Sequence, residues 1–85
     1  MRVELFGVLR HRAGVDSLEI EAMTLSQAVR EVCRKLPQLD GVCDSHGQLT
    51  QPFLANVNGM QFVVDPATPL AASDSLLLLS SDPGG

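Results

Sequence analysis

Positive charge is scarce in this chain. Six lysines and arginines stand against ten acidic residues, Lys35 is the only lysine, and the net charge is −4. A nucleic-acid backbone requires a basic patch, so nucleic acid is excluded as a partner class. Long hydrophobic runs are also missing. The longest is Leu76 to Leu79, far short of the roughly 20 residues of a membrane span, so no membrane association is expected. The opening Met1-Arg2-Val3-Glu4-Leu5 carries a charge at its fourth residue and no apolar core. It is therefore no signal peptide, and the cytoplasm is the expected location. Cysteine is sparse: Cys33 and Cys43 form no CxxC pair, and His11 and His46 stand far apart. Neither a metal site nor a disulfide framework is expected. What remains is a chain of 85 residues, 45% hydrophobic and 19% charged. That is enough for one small globular domain with a modest core.

The local pattern places the elements. Arg2 to Phe6 alternates polar and apolar, predicting a strand with Val3 and Leu5 on one face. Residues 8–14 read as a short connector of about one helical turn, closed by Gly14. Ser17 to Glu21 alternates again, with Leu18 and Ile20 inward, so the chain is expected to open with a β-hairpin. Thr24-Leu25-Ser26-Gln27 fits a capping box, in which the threonine hydroxyl accepts from a backbone N–H and the glutamine reaches back. Leu25, Ala28, Val29, Val32, Cys33 and Leu36 then form one apolar stripe at helical spacing. Pro37 stops the helix near Leu36. Cys33 lies on the stripe and reads as a small core residue rather than a nucleophile.

Residues 37–51 look irregular, with Leu39 and Val42 able to seat a second short turn and His46 facing solvent. Phe53 to Val57 is a strand, Asn58-Gly59 the signal of a type I′ turn, and Met60 to Val64 the return strand. Asp65 to Pro69 is turn chemistry, Leu70 drops into the core, and Leu76 to Leu79 forms the last strand. The expected class is α+β: a mixed sheet of about five strands with one main helix packed on one face. One helix covers one face only. Phe53, Met60, Phe62, Leu76 and Leu78 are therefore candidates for an open apolar face that a partner covers, unless loop 37–51 folds over it.

The chain ends Ser80-Ser81-Asp82-Pro83-Gly84-Gly85. A core strand gives way at once to a tail with almost no side chains. Two glycines leave a carboxylate that can enter a narrow site with no Cβ in the way. The ordered set of VELFGVLRHRAG at 3–14, TLSQAVREVCRKLP at 24–37, LANVNGMQFV at 54–63, DPATPL at 65–70 and the final Gly-Gly resembles the MoaD/ThiS sulfur carriers. The resemblance covers essentially the whole chain and is closest to MoaD, the small subunit of molybdopterin synthase.

That resemblance implies a ubiquitin-like β-grasp domain over residues 1–81 and a flexible tail over 82–85. It implies that an E1-like adenylyltransferase, using ATP, activates the Gly85 carboxylate. A sulfur donor (a cysteine desulfurase or rhodanese) then converts it to a thiocarboxylate. Asp82, Pro83 and Gly84 would thread the tail into the large catalytic subunit, a MoaE-like protein, where the sulfur passes to a pterin precursor in molybdenum-cofactor synthesis. The carrier would be the non-catalytic sulfur-donor subunit and bind no cofactor or metal of its own.

Two departures from the family pattern stand out. Ala72-Ser73-Asp74-Ser75 lacks the usual glycine before the last strand, and Asp82 puts a charge in a usually uncharged tail. That charge calls for a cationic or wet partner pocket. The alternatives are a sulfur carrier for thiamine or transfer RNA, a ubiquitin-like protein modifier, and a plain interaction module.

Overall fold

The computed structural model describes residues 1–82; Pro83, Gly84 and Gly85 lie outside the described residues. The elements are β1 (Arg2–Leu5), α1 (Gly7–Ala13), β2 (Ser17–Glu19), α2 (Leu25–Lys35), a 3₁₀ turn (Pro37–Leu39), β3 (Phe53–Val57), β4 (Gln61–Val63) and β5 (Ser75–Ser80). The sheet order is β2-β1-β5-β3-β4. β1 and β5 run parallel, and the other pairs are antiparallel. This mixed sheet with a helix across one face is the ubiquitin-like β-grasp arrangement.

The helix α2 forms for the reasons its sequence predicts. Thr24 Oγ1 accepts from the Gln27 N–H at 3.3 Å. The return bond differs in detail: Gln27 Oε1 accepts from the Met23 N–H at 2.9 Å, one residue before the cap. Leu25, Ala28, Val29 and Val32 are buried, while Cys33 and Leu36 pack half-buried against the same core. Leu36 leaves helical geometry at φ −122°, as a residue before proline should.

The segment read as a one-turn connector is a full helix, α1. It buries Leu9 and Ala13 and ends on Gly14 at φ 76°, whose N–H donates to Arg10 O at 2.9 Å. β1 and β2 thus pair as expected, joined through a helix rather than a tight turn. Loop 37–51 packs on the helix side of the sheet, where Leu39 and Val42 are buried in the core. On the opposite face Leu54, Leu77 and Leu79 stay partly exposed. The Asn58-Gly59 turn has both residues at positive φ, 59° and 72°, as a type I′ hairpin requires. Asn58 is tied at both ends of its amide: Nδ2 donates to Asp74 Oδ1 at 3.0 Å and Oδ1 accepts from the Ser75 N–H at 2.8 Å.

Register decides which leucines of β5 are inside. Leu76 pairs with Val3 and Val57, and Leu78 with Leu5 and Ala55. Both face α2, at 0% and 1% exposure. The expectation that Leu76 and Leu78 lie on the open face is corrected: Leu77 and Leu79 take that side. Phe53 is corrected with them. It sits opposite Ser80, on the same side of β3 as Ala55, and packs half-buried against the core. Of the five candidates, Met60 and Phe62 are exposed, at 87% and 60%.

Candidate functional site

β5 is the middle strand of the sheet, so the tail leaves from the best-supported element of the fold. Its base is held by hydrogen bonds as far as Asp82. The Ser81 N–H and the Ser81 hydroxyl both donate to Pro52 O, at 2.9 and 3.1 Å, and the Asp82 N–H donates to Ser80 Oγ at 3.1 Å. The Asp82 side chain is exposed. The roles expected of Pro83, Gly84 and Gly85 lie outside the described residues. Beside the tail base is a groove of about 350 Å³, lined among others by Leu25, Pro52, Phe53, Val63 and Ser81. Phe53 therefore shapes the exit of the tail rather than an open face.

The face of the sheet away from α2 is apolar at its centre. Leu54 pairs with Leu79, and Asn56 pairs with Leu77 on one side and Phe62 on the other. Leu54, Leu77 and Leu79 are half-buried, and Phe62 stands exposed at the edge strand. Phe6, which continues the alternation past β1, is 38% exposed. At the β1 side the surface turns polar: Glu4 pairs with Leu77 and is bound by Arg2 Nε at 3.0 Å.

Asn56 is the residue sequence reasoning missed. It is 7% exposed, and its Oδ1 has no hydrogen-bond partner. The signal was present: a polar amide inside Phe53-Leu54-Ala55-Asn56-Val57, in phase with Phe62 once the Asn58-Gly59 turn fixes the hairpin register.

The titratable groups with shifted pKa values have structural explanations. Cys33 and Cys43 line one shallow surface cavity with Pro37, Leu39, Asp40 and Gly41. Burial, and then the Cys43 thiol beside it, pushes the Cys33 thiol up to about 12. This thiol is a poor nucleophile at neutral pH, in line with the core role read from the helix stripe. Asp44 is held below the usual carboxylate range by the Gln48 and His46 N–H groups, which orders the loop before β3. Among the described residues no three His, Cys, Asp or Glu side chains cluster as metal ligands. No helix among them is long and apolar enough to cross a membrane.

No family model matches the chain, and neither does any curated protein. Solved structures do match over its whole length. SAMP1 from Haloferax volcanii is similar with a TM-score of 0.84 at 25% identity, covering 100% of this chain and 98% of that one. A chain of the BexX/CysO complex from Amycolatopsis orientalis gives 0.80 at 19% identity, covering 99% and 98%. The small archaeal modifier protein 1 (SAMP1) from Methanosarcina acetivorans gives 0.78 at 24% identity, covering 99% and 94%.

Proposed function

We propose that this chain is a ubiquitin-like sulfur carrier whose reactive atom is the carboxyl carbon of Gly85. The observation that carries the reading is the central strand β5, anchored through Ser81 to Pro52 and continued by Asp82-Pro83-Gly84-Gly85. The end-to-end similarity to SAMP1 supports it.

A carboxylate is a poor acyl donor because its leaving group would be oxide. Activation by ATP solves this: a carboxylate oxygen of Gly85 attacks the α-phosphorus, pyrophosphate leaves, and an acyl-adenylate forms. A persulfide of the sulfur donor then attacks the carbonyl and expels AMP, leaving an acyl disulfide. A second thiol takes the donor's sulfur in a mixed disulfide and frees the Gly85 thiocarboxylate. When that sulfur displaces a leaving group from an electrophilic carbon of the acceptor, a thioester links the two; water then cleaves its acyl–sulfur bond, which leaves the sulfur on the acceptor as a thiol and restores the Gly85 carboxylate. The carrier supplies no acid or base to any step. It supplies a thin tail and a docking domain, and the partner enzymes supply the catalysis. The finer reading is that the recipient is the large, MoaE-like subunit of a molybdopterin synthase. The resemblance of segments 3–14, 24–37 and 54–63 to MoaD supports it.

A second reading is favoured by the name of the neighbour from Methanosarcina acetivorans, a small archaeal modifier protein. In that reading a lysine amine of a target attacks the same acyl-adenylate, or a thioester derived from it, to form an isopeptide bond. Both readings begin with activation. ATP–pyrophosphate exchange by the organism's own activating enzyme should depend on this chain and vanish when Gly84 and Gly85 are removed. Exchange that persists at the same rate without the two glycines would contradict both.

A further inference from the structure

The open face of the sheet carries one group that its own fold leaves unsatisfied. Asn56 is more than nine-tenths buried, between Leu77 and Phe62 in the register, and its Oδ1 accepts no hydrogen bond. Nearby polar side chains have partners of their own. Asn58 bonds to Asp74 and Ser75, Asp65 Oδ1 accepts from the Ala67 N–H, and Glu4 is paired with Arg2. An amide oxygen removed from water with no donor in exchange is a cost to the fold, and a β-branched apolar residue would suit this strand better. Among the described residues nothing donates to this oxygen, so a donor from outside is the group it suits.

We propose that Asn56 is the residue by which the activating enzyme recognises this carrier. The enzyme lays an apolar surface over Leu54, Leu77, Leu79 and Phe62 and places one uncharged hydrogen-bond donor on Asn56 Oδ1. This rests on the reading that Gly85 is adenylated, which both the carrier and the modifier roles require. The length of the tail argues for this occupant. Three residues follow Asp82, and fully extended they reach at most about 11 Å. An enzyme holding the Gly85 carboxylate in its active site must therefore lie against the end of β5, where the face around Leu79 begins.

The donor is uncharged because the surroundings are apolar and a single amide oxygen does not compensate a desolvated cation. Phe62, exposed on the edge strand and paired with Asn56, borders the point where the donor would enter. Discrimination follows from the same chemistry. A related carrier with an apolar residue at this position would leave the enzyme's donor buried and unpaired, which penalises the wrong partner more than the right one gains.

The test titrates the isotope-labelled full chain with the organism's activating enzyme without ATP, and separately measures ATP–pyrophosphate exchange. Asn56→Val removes the amide and keeps a strand-forming shape. It should raise both the Kd and the KM for the carrier about 5- to 10-fold with kcat unchanged, and leave the melting temperature equal or higher. Asn56→Thr restores an oxygen and should recover part of the loss, and Phe62→Ala reports on the apolar surface. An unchanged Kd for Asn56→Val beside a weakened Phe62→Ala overturns the inference. So does wild-type binding that leaves the face unperturbed, even where exchange proceeds and the carrier reading stands. Binding that depends on Asn56 without any exchange overturns it together with the carrier reading, because the enzyme bound would not be one that adenylates Gly85.

Discussion

Burial sets the chemistry of Cys33. Its thiol is raised from an ordinary 9.0 to about 12, first by desolvation and then by the Cys43 thiol beside it. At pH 8 Cys33 should react with iodoacetamide at least about 10-fold more slowly in the folded chain than in the urea-unfolded chain. Equal rates would contradict the packing described for α2. The sign for stability follows by linkage. Above pH 9.0 the unfolded thiol loses its proton, while the folded one keeps it until about 12. The unfolded state then binds fewer protons, so stability falls as pH rises through that window, and Cys33→Ala should lessen the fall.

Local chemistry was legible where it depended on neighbours in sequence. Asn58-Gly59 announced its turn because few other residues adopt positive φ at both positions. What Asn58 holds was not legible, since Asp74 and Ser75 arrive from 16 and 17 residues away. Asp74 lies below the usual carboxylate range because the Ala71 N–H and the Asn58 amide both donate to it. Asn56 escaped the sequence reading for a related reason: a lone amide in an apolar run gains meaning only when the face it occupies is known.

β5 shows how pattern alone stops short. Four leucines in succession establish a strand with two apolar faces, but nothing in Leu76 to Leu79 says which face meets α2. Pairing with β1 settles it, because Val3 and Leu5 face the core and their partners Leu76 and Leu78 must share that side. The helix α1 was missed because seven residues with no capping side chain give only one buried pair, Leu9 and Ala13, too little periodicity to read. α2 was clear because its cap, stripe and stop all agreed.

The two faces of β5 predict opposite outcomes for one kind of substitution. Leu78→Asp buries a charge among Leu5 and Ala55 and should unfold the domain. Leu78→Ala should cost about 2–5 kcal/mol. Leu77→Asp, on the half-buried outer face, should leave the domain folded by circular dichroism while weakening the activating enzyme's hold on it. A folded Leu78→Asp variant would mean that the register of β5 is reversed.

On the proposed reading, the whole molecule divides its labour between a domain that folds and docks and a tail that reacts. The domain measures 29 × 25 × 21 Å, with its core entirely on the α2 side of the sheet. The other side is left apolar with Asn56 at its centre, and the tail base is fastened at one end of that sheet by Pro52. A net charge of −4, with Asp82 exposed at the start of the tail, favours an enzyme entrance that is cationic or wet.

The most direct measurement is the intact mass of the full chain after incubation with ATP, the organism's activating enzyme and a persulfide sulfur donor, with fragmentation to place any change. A sulfur carrier should gain one sulfur in exchange for one oxygen, located at Gly85, dependent on ATP and reversed when the sulfur is consumed. A chain that forms Gly85–lysine isopeptide conjugates and never a thiocarboxylate would make it a modifier instead. A chain whose mass is unchanged while its activating enzyme modifies another carrier in the same mixture would contradict the account outright.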